Sequence, residues 1–141
     1  MAAFSKFNVF VLDVAQKKHD LSADNLKIAL SNVAPVATNA IFTDITEIAA
    51  GNGYTAGGTQ ATLVSSSQTG GLYTLKLNNV VFTASGGSIA TFRYAVLYNS
   101  TQTTPNKPLI GWYDYGTTLS VTVGNTFTVQ FDAANGVLTI Q

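Results

Sequence analysis

The sequence predicts an all-β protein, a jelly-roll-like antiparallel sandwich with a short N-terminal helix or arm. Residues 89–98 are β-branched and aromatic on both alternating faces, which is typical of a central strand buried on two sides. Many other short segments alternate apolar and polar residues and are separated by turn residues. About eight or nine such strands indicate two packed antiparallel sheets, and a jelly roll suits that number among the known sandwiches.

The composition limits the classes of protein that the chain can belong to. With 141 residues, one domain over residues 1–141 is expected, with residues 1–20 as its N-terminal arm or helix. The absence of cysteine excludes disulfides and thiolate metal sites. No apolar run approaches the ~20 residues of a membrane span, and the first residues do not resemble a signal peptide. We therefore expect synthesis in the cytoplasm and no membrane partner.

The charge content is unusual. The net charge is zero, which argues against a nucleic-acid partner, because that affinity depends on neutralising phosphates. Only 10% of the residues are charged, against about 25% in ordinary globular domains. Proteins that stay monomeric commonly protect their sheet edges with lysine. A β domain with so few charges is therefore expected to be covered by partners, and a neutral, threonine-rich free surface is the alternative.

The N-terminal region has the apolar spacing of a helix, and residues 8–12 alternatively suit a strand. Within residues 4–18 the apolar positions that show this spacing are Phe4, Phe7, Val11 and Val14. Lysines follow at the end, where the helix dipole favours cations, and His19 is expected at an exposed helix end. This segment either closes one end of the sandwich or forms an arm that reaches a neighbouring subunit.

The next segments mix a clear strand with a loop. Residues 24–32 alternate regularly and predict the first strand, which the proline at position 35 ends. Asp44 and Glu47 resemble a capping box for a single helical turn that would direct Ile45 and Ile48 inward and stop at Gly51. The glycine-rich stretch 51–58 lacks both phosphate-binding patterns, so we interpret it as a structural turn.

The second half of the sequence is predicted to be strand after strand. Turns are expected at Gly124-Asn125 and Asn135-Gly136. The predicted strands are residues 59–66, 72–77, 80–84, 89–98, 109–115, 119–123, 126–131 and 137–140.

A search for catalytic chemistry finds little. His19 is the single histidine, so a multi-histidine metal site and a Ser-His-Asp triad are both poorly supported. Carboxylates are scattered, and nothing in their spacing indicates the paired acids of a glycosidase. We therefore predict no enzyme activity, no catalytic residue, no metal and no cofactor.

Two features are candidates for an interface. Trp112 and Asp114 are expected to point to one side of a strand, and Tyr113 and Tyr115 to the other. Such aromatic residues stack on sugars, anchor partners or simply form core. Arg93 is expected to be buried and therefore paired, either within the chain to an aspartate such as Asp114 or Asp132, or across a subunit boundary.

Five blocks of the sequence carry a family resemblance: residues 4–7 (Phe-Ser-Lys-Phe), 26–30 (Leu-Lys-Ile-Ala-Leu), 44–58, 92–98 (Phe-Arg-Tyr-Ala-Val-Leu-Tyr) and 108–115 (Pro-Leu-Ile-Gly-Trp-Tyr-Asp-Tyr). Together they resemble a family of small structural proteins of tailed bacteriophages, the capsid cement or decoration proteins, as found in a Bordetella phage.

The resemblance implies a virion protein on the outer surface of the phage head. Its partners would be the major capsid protein and itself, as a homodimer or alternatively a trimer, and its task would be to hold adjacent capsomers together against internal pressure. The resemblance implies no active-site residue. The residues that we expect at such interfaces are Phe4, Phe7, Arg93, Trp112, Tyr113 and Tyr115.

Two other hypotheses come from different classes. A carbohydrate-binding sandwich from a phage fibre or spike would use Trp112 and the neighbouring tyrosines as its platform. A glycan hydrolase or lyase would have to use the scattered carboxylates.

Overall fold

The computed structural model describes residues 2–141. Its elements form two layers of strands and one short α-helix. The elements in chain order are β1 (Ala3–Lys6), α1 (Val9–Ala15), β2 (Leu26–Ser31), a 3-10 turn (Phe42–Asp44), β3 (Thr59–Ala61), β4 (Leu63–Thr69), β5 (Leu72–Leu77), β6 (Val80–Thr83), β7 (Ile89–Asn99), β8 (Leu109–Val121), β9 (Thr126–Val129) and β10 (Leu138–Ile140).

The strands form one five-stranded sheet and a second layer of two smaller sheets. The five-stranded sheet has the order β1-β8-β7-β2-β3, and the second layer contains β10-β5-β4 and β6-β9. Every one of these ladders is antiparallel. The predicted class, an all-β antiparallel sandwich with a short N-terminal helix, is confirmed.

Strand β7 lies at the centre of the larger sheet, between β2 and β8. Its side chains Phe92 and Leu97 enter the main core between the two layers. Val96 and Tyr98 enter a second apolar cluster on the outer face of the sheet, together with Phe7. The prediction of a central strand buried on both faces is therefore confirmed, and the N-terminal residues are part of what covers its outer face.

The N-terminal segment is not an arm. Residues Ala3–Lys6 form the edge strand β1, which pairs with β8. Phe7 is fully buried, and its backbone amide donates to the Ile110 carbonyl at 3.1 Å. The helix occupies only Val9–Ala15, so the predicted helix over residues 4–18 is right for its middle part only. The helical spacing of Phe4 and Phe7 was misleading, because Phe4 lies in β1 and Phe7 directly follows that strand.

Two strands that the sequence predicts separately form one continuous strand in the structure. Residues 109–115 and 119–123 were expected to be separate, whereas β8 runs from Leu109 to Val121. The register against β7 shifts between the pairs Phe92–Leu119 and Tyr94–Asp114, so the extra residues of β8 bulge out there. Gly116 has a φ of +81° within this bulge, a conformation that favours glycine. Glycine therefore marks a bulge here rather than a break.

The predicted strand over residues 59–66 divides between the two layers. Thr59–Ala61 pairs with β2 in the five-stranded sheet, and Leu63–Thr69 pairs with β5 in the other layer. The chain thus crosses from one sheet to the other at residue 62, and β4 becomes an edge strand of the second layer.

The expected helical turn at residues 44–48 is wrong. A 3-10 turn covers Phe42–Asp44 instead, and Asp44 Oδ2 accepts hydrogen bonds from the amides of Ala40 at 2.9 Å and Ile41 at 3.1 Å. These bonds hold the pKa of Asp44 below its usual value. Glu47 does not complete a capping box. Its carboxylate instead accepts a hydrogen bond from the hydroxyl of Tyr54 at 2.7 Å.

Candidate functional site

Two of the predicted interface residues lie in the protein interior. Phe7 is fully buried in the outer cluster, and Tyr113 is 4% exposed in the main core. Burial raises the pKa of the Tyr113 hydroxyl well above its usual value. Neither side chain is accessible to a partner in this structure, so the interface prediction needs correction for both. Their apolar character is used for packing.

Phe4 and Tyr115 are half-buried and belong to the margin of the core. The Phe4 ring lies 5.2 Å from the Tyr113 ring, and the Tyr115 ring meets Phe127 edge-on at 5.0 Å. Burial raises the pKa of Tyr115 to about 12. These residues present only part of their surface to a partner.

Trp112 and Asp114 point away from Tyr113 and Tyr115, as the alternation predicted. The Trp112 ring packs on Phe7 with 4.6 Å between the ring centroids and belongs to the outer cluster. It remains half-buried. The flat face that stacks on a sugar in a carbohydrate-binding platform is thus partly occupied by Phe7.

Arg93 is not buried as predicted, because it lies on the half-exposed part of β7. Its side chain is 37% exposed, and that of Asp114 is 39% exposed. The intramolecular alternative is the one that the structure contains. Arg93 Nε donates to Asp114 Oδ1 at 2.7 Å and Nη2 donates to Oδ2 at 2.9 Å. This hydrogen-bonded guanidinium holds the pKa of Asp114 below its usual value.

The sheet edges carry almost no charge. The shorter strands at the margins of the layers that lack any charged residue are β3, β4, β6, β9 and β10. Strand β1, which has Lys6, is the exception. Strand β4, Leu63–Thr69, is the longest of the uncharged edges and is mostly exposed. We call this strand the β4 edge.

Exposed apolar side chains accompany the β4 edge. Leu63 is 44% exposed and Val64 is 56% exposed on the strand itself. Leu72, opposite Thr69 on the neighbouring strand, is 38% exposed. Val64 also lines a shallow groove of about 310 Å³ with Lys76. Isolated exposed apolar residues are ordinary, but here they adjoin unpaired backbone groups.

His19 was expected at an exposed helix end, and that prediction is wrong. It is 8% exposed and lies against the Phe10 ring, with 5.3 Å between the ring centroids. Its Nδ1 lies 3.2 Å from the side-chain nitrogen of Asn99, which is fully buried. Burial lowers the pKa of His19 to about 4, so the ring is neutral near pH 7. No local pattern indicated this contact, because Asn99 is 80 positions away in the chain.

The described part of the chain contains no group of three or more His, Asp or Glu side chains that could hold a metal ion. Among the residues 2–141, no helix is long and apolar enough to cross a membrane. Comparison of the chain with family models, with curated proteins and with solved structures finds no match.

Proposed function

We propose that this chain is a structural virion protein, a cement protein that binds the outside of a tailed-phage head and ties adjacent coat capsomers together. The observation that carries the proposal is the set of uncharged sheet edges, of which the β4 edge is the longest. An exposed edge of this kind presents unpaired N–H and C=O groups that pair readily with another chain. A sheet edge that stays covered by a partner does not need a lysine to prevent unwanted strand pairing.

Apolar exposure supports the same proposal. Leu63, Val64 and Leu72 are each more than a third exposed beside the β4 edge. Covering apolar surface contributes roughly 25 cal/mol per Å². A partner strand laid along this edge would gain backbone hydrogen bonds and apolar contact together, which is the mode of β-strand addition.

The same contact would be repeated many times over a closed shell, so each contact needs only a modest affinity to hold the protein on the head. A contact of standard size buries roughly 1,600 Å², and association cancels much of the apolar gain. When one oligomer contacts two capsomers, the second contact becomes effectively intramolecular and the combined attachment is far tighter. The proposed partners are accordingly the major capsid protein and further copies of this chain, as a homodimer or a trimer. The resemblance to phage cement proteins supports the same partners.

The test compares phage particles made with and without this protein. Heads lacking it should assemble with normal geometry but release DNA at lower temperature, and adding the purified protein back should restore the release temperature. The protein should also be found on purified particles in a fixed ratio to the coat protein. Heads that withstand heating and full-length packaging equally well without the protein would show that the proposal is wrong.

A further inference from the structure

A cleft of about 600 Å³ lies between α1, the turn after it and the sheet β10-β5-β4. From the sheet it is lined by Ser66 of β4, Tyr73 of β5 and Ile140 of β10. The cleft therefore extends across all three strands as far as β4, the last strand of that sheet. We call this space the end cleft.

The side of β4 that faces the end cleft carries a short residue. Ser66 lies opposite Leu75 in the β4–β5 ladder, and Gln68 lies opposite Tyr73. Residues that are opposite in an antiparallel ladder point to the same face, and Leu75 is fully buried in the main core. Ser66 therefore points inward, and its short side chain leaves the cleft open beside it.

One wall of the end cleft is apolar. Val14 and Leu21 form it from the helix side, and Ile140 forms it from the sheet side. All three side chains pack against the main core but remain only half-buried. An apolar group placed in the cleft would complete their burial, which stabilises a complex by roughly 25 cal/mol per Å² of covered surface.

The polar groups of the end cleft are largely paired within the chain. The hydroxyls of Ser66 and Tyr73 lie 2.8 Å apart, and Asp20 accepts from the Ser22 hydroxyl at 2.5 Å. Lys17 and Asp20 bring one charge of each sign, so the lining favours neither anions nor cations. Most of the surface left uncovered is apolar.

A strand that pairs with the β4 edge would reach the apolar wall directly. Such a strand would lie about 4.8 Å beyond β4 and continue the sheet. Every second side chain of it would point to the same face as Ser66 and Gln68. One of these side chains would therefore enter the end cleft beside Ser66.

Charge limits which strand fits this position. Strand β4 carries no charge over Leu63–Thr69, so a charged partner strand finds no opposite charge along it. A charged side chain that entered the cleft would lose water against the apolar wall, which is costly without a paired opposite charge. A bulky apolar side chain at the same position would gain contact instead.

We infer that the segment of the coat protein that pairs with the β4 edge is an extended, uncharged strand with one bulky apolar side chain, which fills the end cleft. The inference deepens the proposed cement function and rests on it for the identity of the partner. In strand addition, backbone hydrogen bonds supply affinity and pockets for alternate side chains supply specificity. The end cleft is the pocket of this kind beside the β4 edge.

The experiment follows the NMR amide signals of the full-length protein during addition of three blocked peptides. Their sequence is Thr-Ser-Thr-X-Thr-Ser-Thr, in which X is Phe, Ser or Asp. The Phe peptide should shift the signals of Ser66 and Ile140, which line the cleft from two strands. It should bind about tenfold tighter than the Ser and Asp peptides, the usual effect of burying one large apolar side chain.

Four variants separate the cleft from the strand edge. Leu21→Trp fills the end cleft and should remove the preference for the Phe peptide, whereas Val123→Trp places the same side chain at an exposed position outside the lining and should keep it. Val14→Thr keeps the shape of the wall but adds a hydroxyl, and should reduce the preference several-fold even if Leu21→Trp misfolds. Ser67→Lys should weaken all three peptides alike, because it changes the edge and not the cleft.

The inference is overturned if the parent protein binds the three peptides equally or does not bind the Phe peptide. An unchanged preference in both Leu21→Trp and Val14→Thr overturns it as well. Occupancy on purified heads separates this result from the proposed function. Heads fully decorated by Leu21→Trp would leave the cement function standing and remove the cleft from the contact. A clear preference for the Phe peptide together with undecorated heads would remove the cement function and support the end cleft as the pocket for a strand of another protein.

Discussion

Arg93 and Asp114 form a two-pronged ion pair across neighbouring strands, at the point where β8 bulges away from β7. Asp114 Oδ1 also accepts from the Gly116 amide at 2.8 Å. The aspartate therefore links the guanidinium of one strand to the backbone of the bulge in the next. Both side chains keep more than a third of their surface exposed, so the pair acts on local geometry more than on global stability.

The first prediction concerns the pH dependence of this pair. Because the pKa of Asp114 is lowered from 3.8 in the folded protein, the pair stabilises the fold above that pH and the effect is lost as the pH falls below it. Arg93→Met should therefore reduce the free energy of unfolding modestly at pH 7 and hardly at all near pH 2. Urea unfolding of both proteins at pH 7 and at pH 2 measures this loss of unfolding free energy. An equal loss at both values would contradict this assignment.

The regular strands of the second half were the most predictable part of the fold. The bounds of β5, Leu72–Leu77, agree with the alternation of the sequence, and β6, β7, β9 and β10 differ from it by few residues. Strands β5, β6, β9 and β10 each have one face on the core, so burial imposes the period of two on the sequence, whereas β7 is buried on both faces and is marked by its continuous apolar run. The fold class followed from that pattern.

Elements that depend on distant partners were not predictable. Strand β1 has only four residues and exists because β8 offers an edge more than 100 positions away in the chain. The spacing of Asp44 and Glu47 predicts a local cap, whereas the Glu47 carboxylate accepts from Tyr54, whose ring packs against Phe82. His19 is buried beside Asn99, which lies 80 positions away in the chain. Local spacing carries no information about such contacts.

The second prediction tests whether the N-terminal segment belongs to the sandwich. Phe7 is fully buried between Trp112 and the outer face of the sheet. Phe7→Ala should lower the free energy of unfolding by about 3–5 kcal/mol, the usual cost of removing a buried aromatic ring. Val11→Ala, at a position 55% exposed, is the matched control and should have little effect. Equal stability of both variants in urea would support the arm hypothesis instead.

The third prediction concerns the hydroxyl of Tyr54. It donates to Glu47 Oε1 at 2.7 Å and accepts from the Leu30 amide at 3.0 Å. Tyr54→Phe leaves both groups without this partner and should cost about 1–3 kcal/mol. Tyr115→Phe is the control, because it removes the same hydroxyl group from a half-buried tyrosine whose ring packs edge-on against Phe127. Thermal unfolding measures both variants, and a neutral Tyr54→Phe would show that the bonds are replaced by water.

The fourth prediction follows from the burial of His19. Its pKa is about 4 in the folded protein and 6.5 without burial, so the unfolded chain binds the extra proton first as the pH falls. The free energy of unfolding should therefore decrease from about pH 6.5 to about pH 4, by up to about 3 kcal/mol from this residue. NMR titration of the His19 ring measures the pKa directly. A value near 6.5 would show that the ring is hydrated.

The last prediction places the proposed capsid contact on the β4 edge. Ser67 lies in the middle of that strand and is exposed, so a lysine there adds the charge that edges of monomeric proteins commonly carry. Ser67→Lys should keep the thermal stability of the free protein, since no buried contact changes. It should reduce the number of copies bound per phage head, because pairing along the edge would bury the ammonium group.

Thr117→Lys is the matched control for this last variant. Thr117 is also exposed, but it lies in the bulge of β8 and away from the β4 edge. It adds the same charge, so a general effect of charge on head binding would lower the occupancy of both variants alike. Occupancy is measured by the ratio of this protein to coat protein on purified particles. Full occupancy of Ser67→Lys would exclude the β4 edge from the contact and leave the other uncharged edges, β9 and β10 among them, to be tested in the same way.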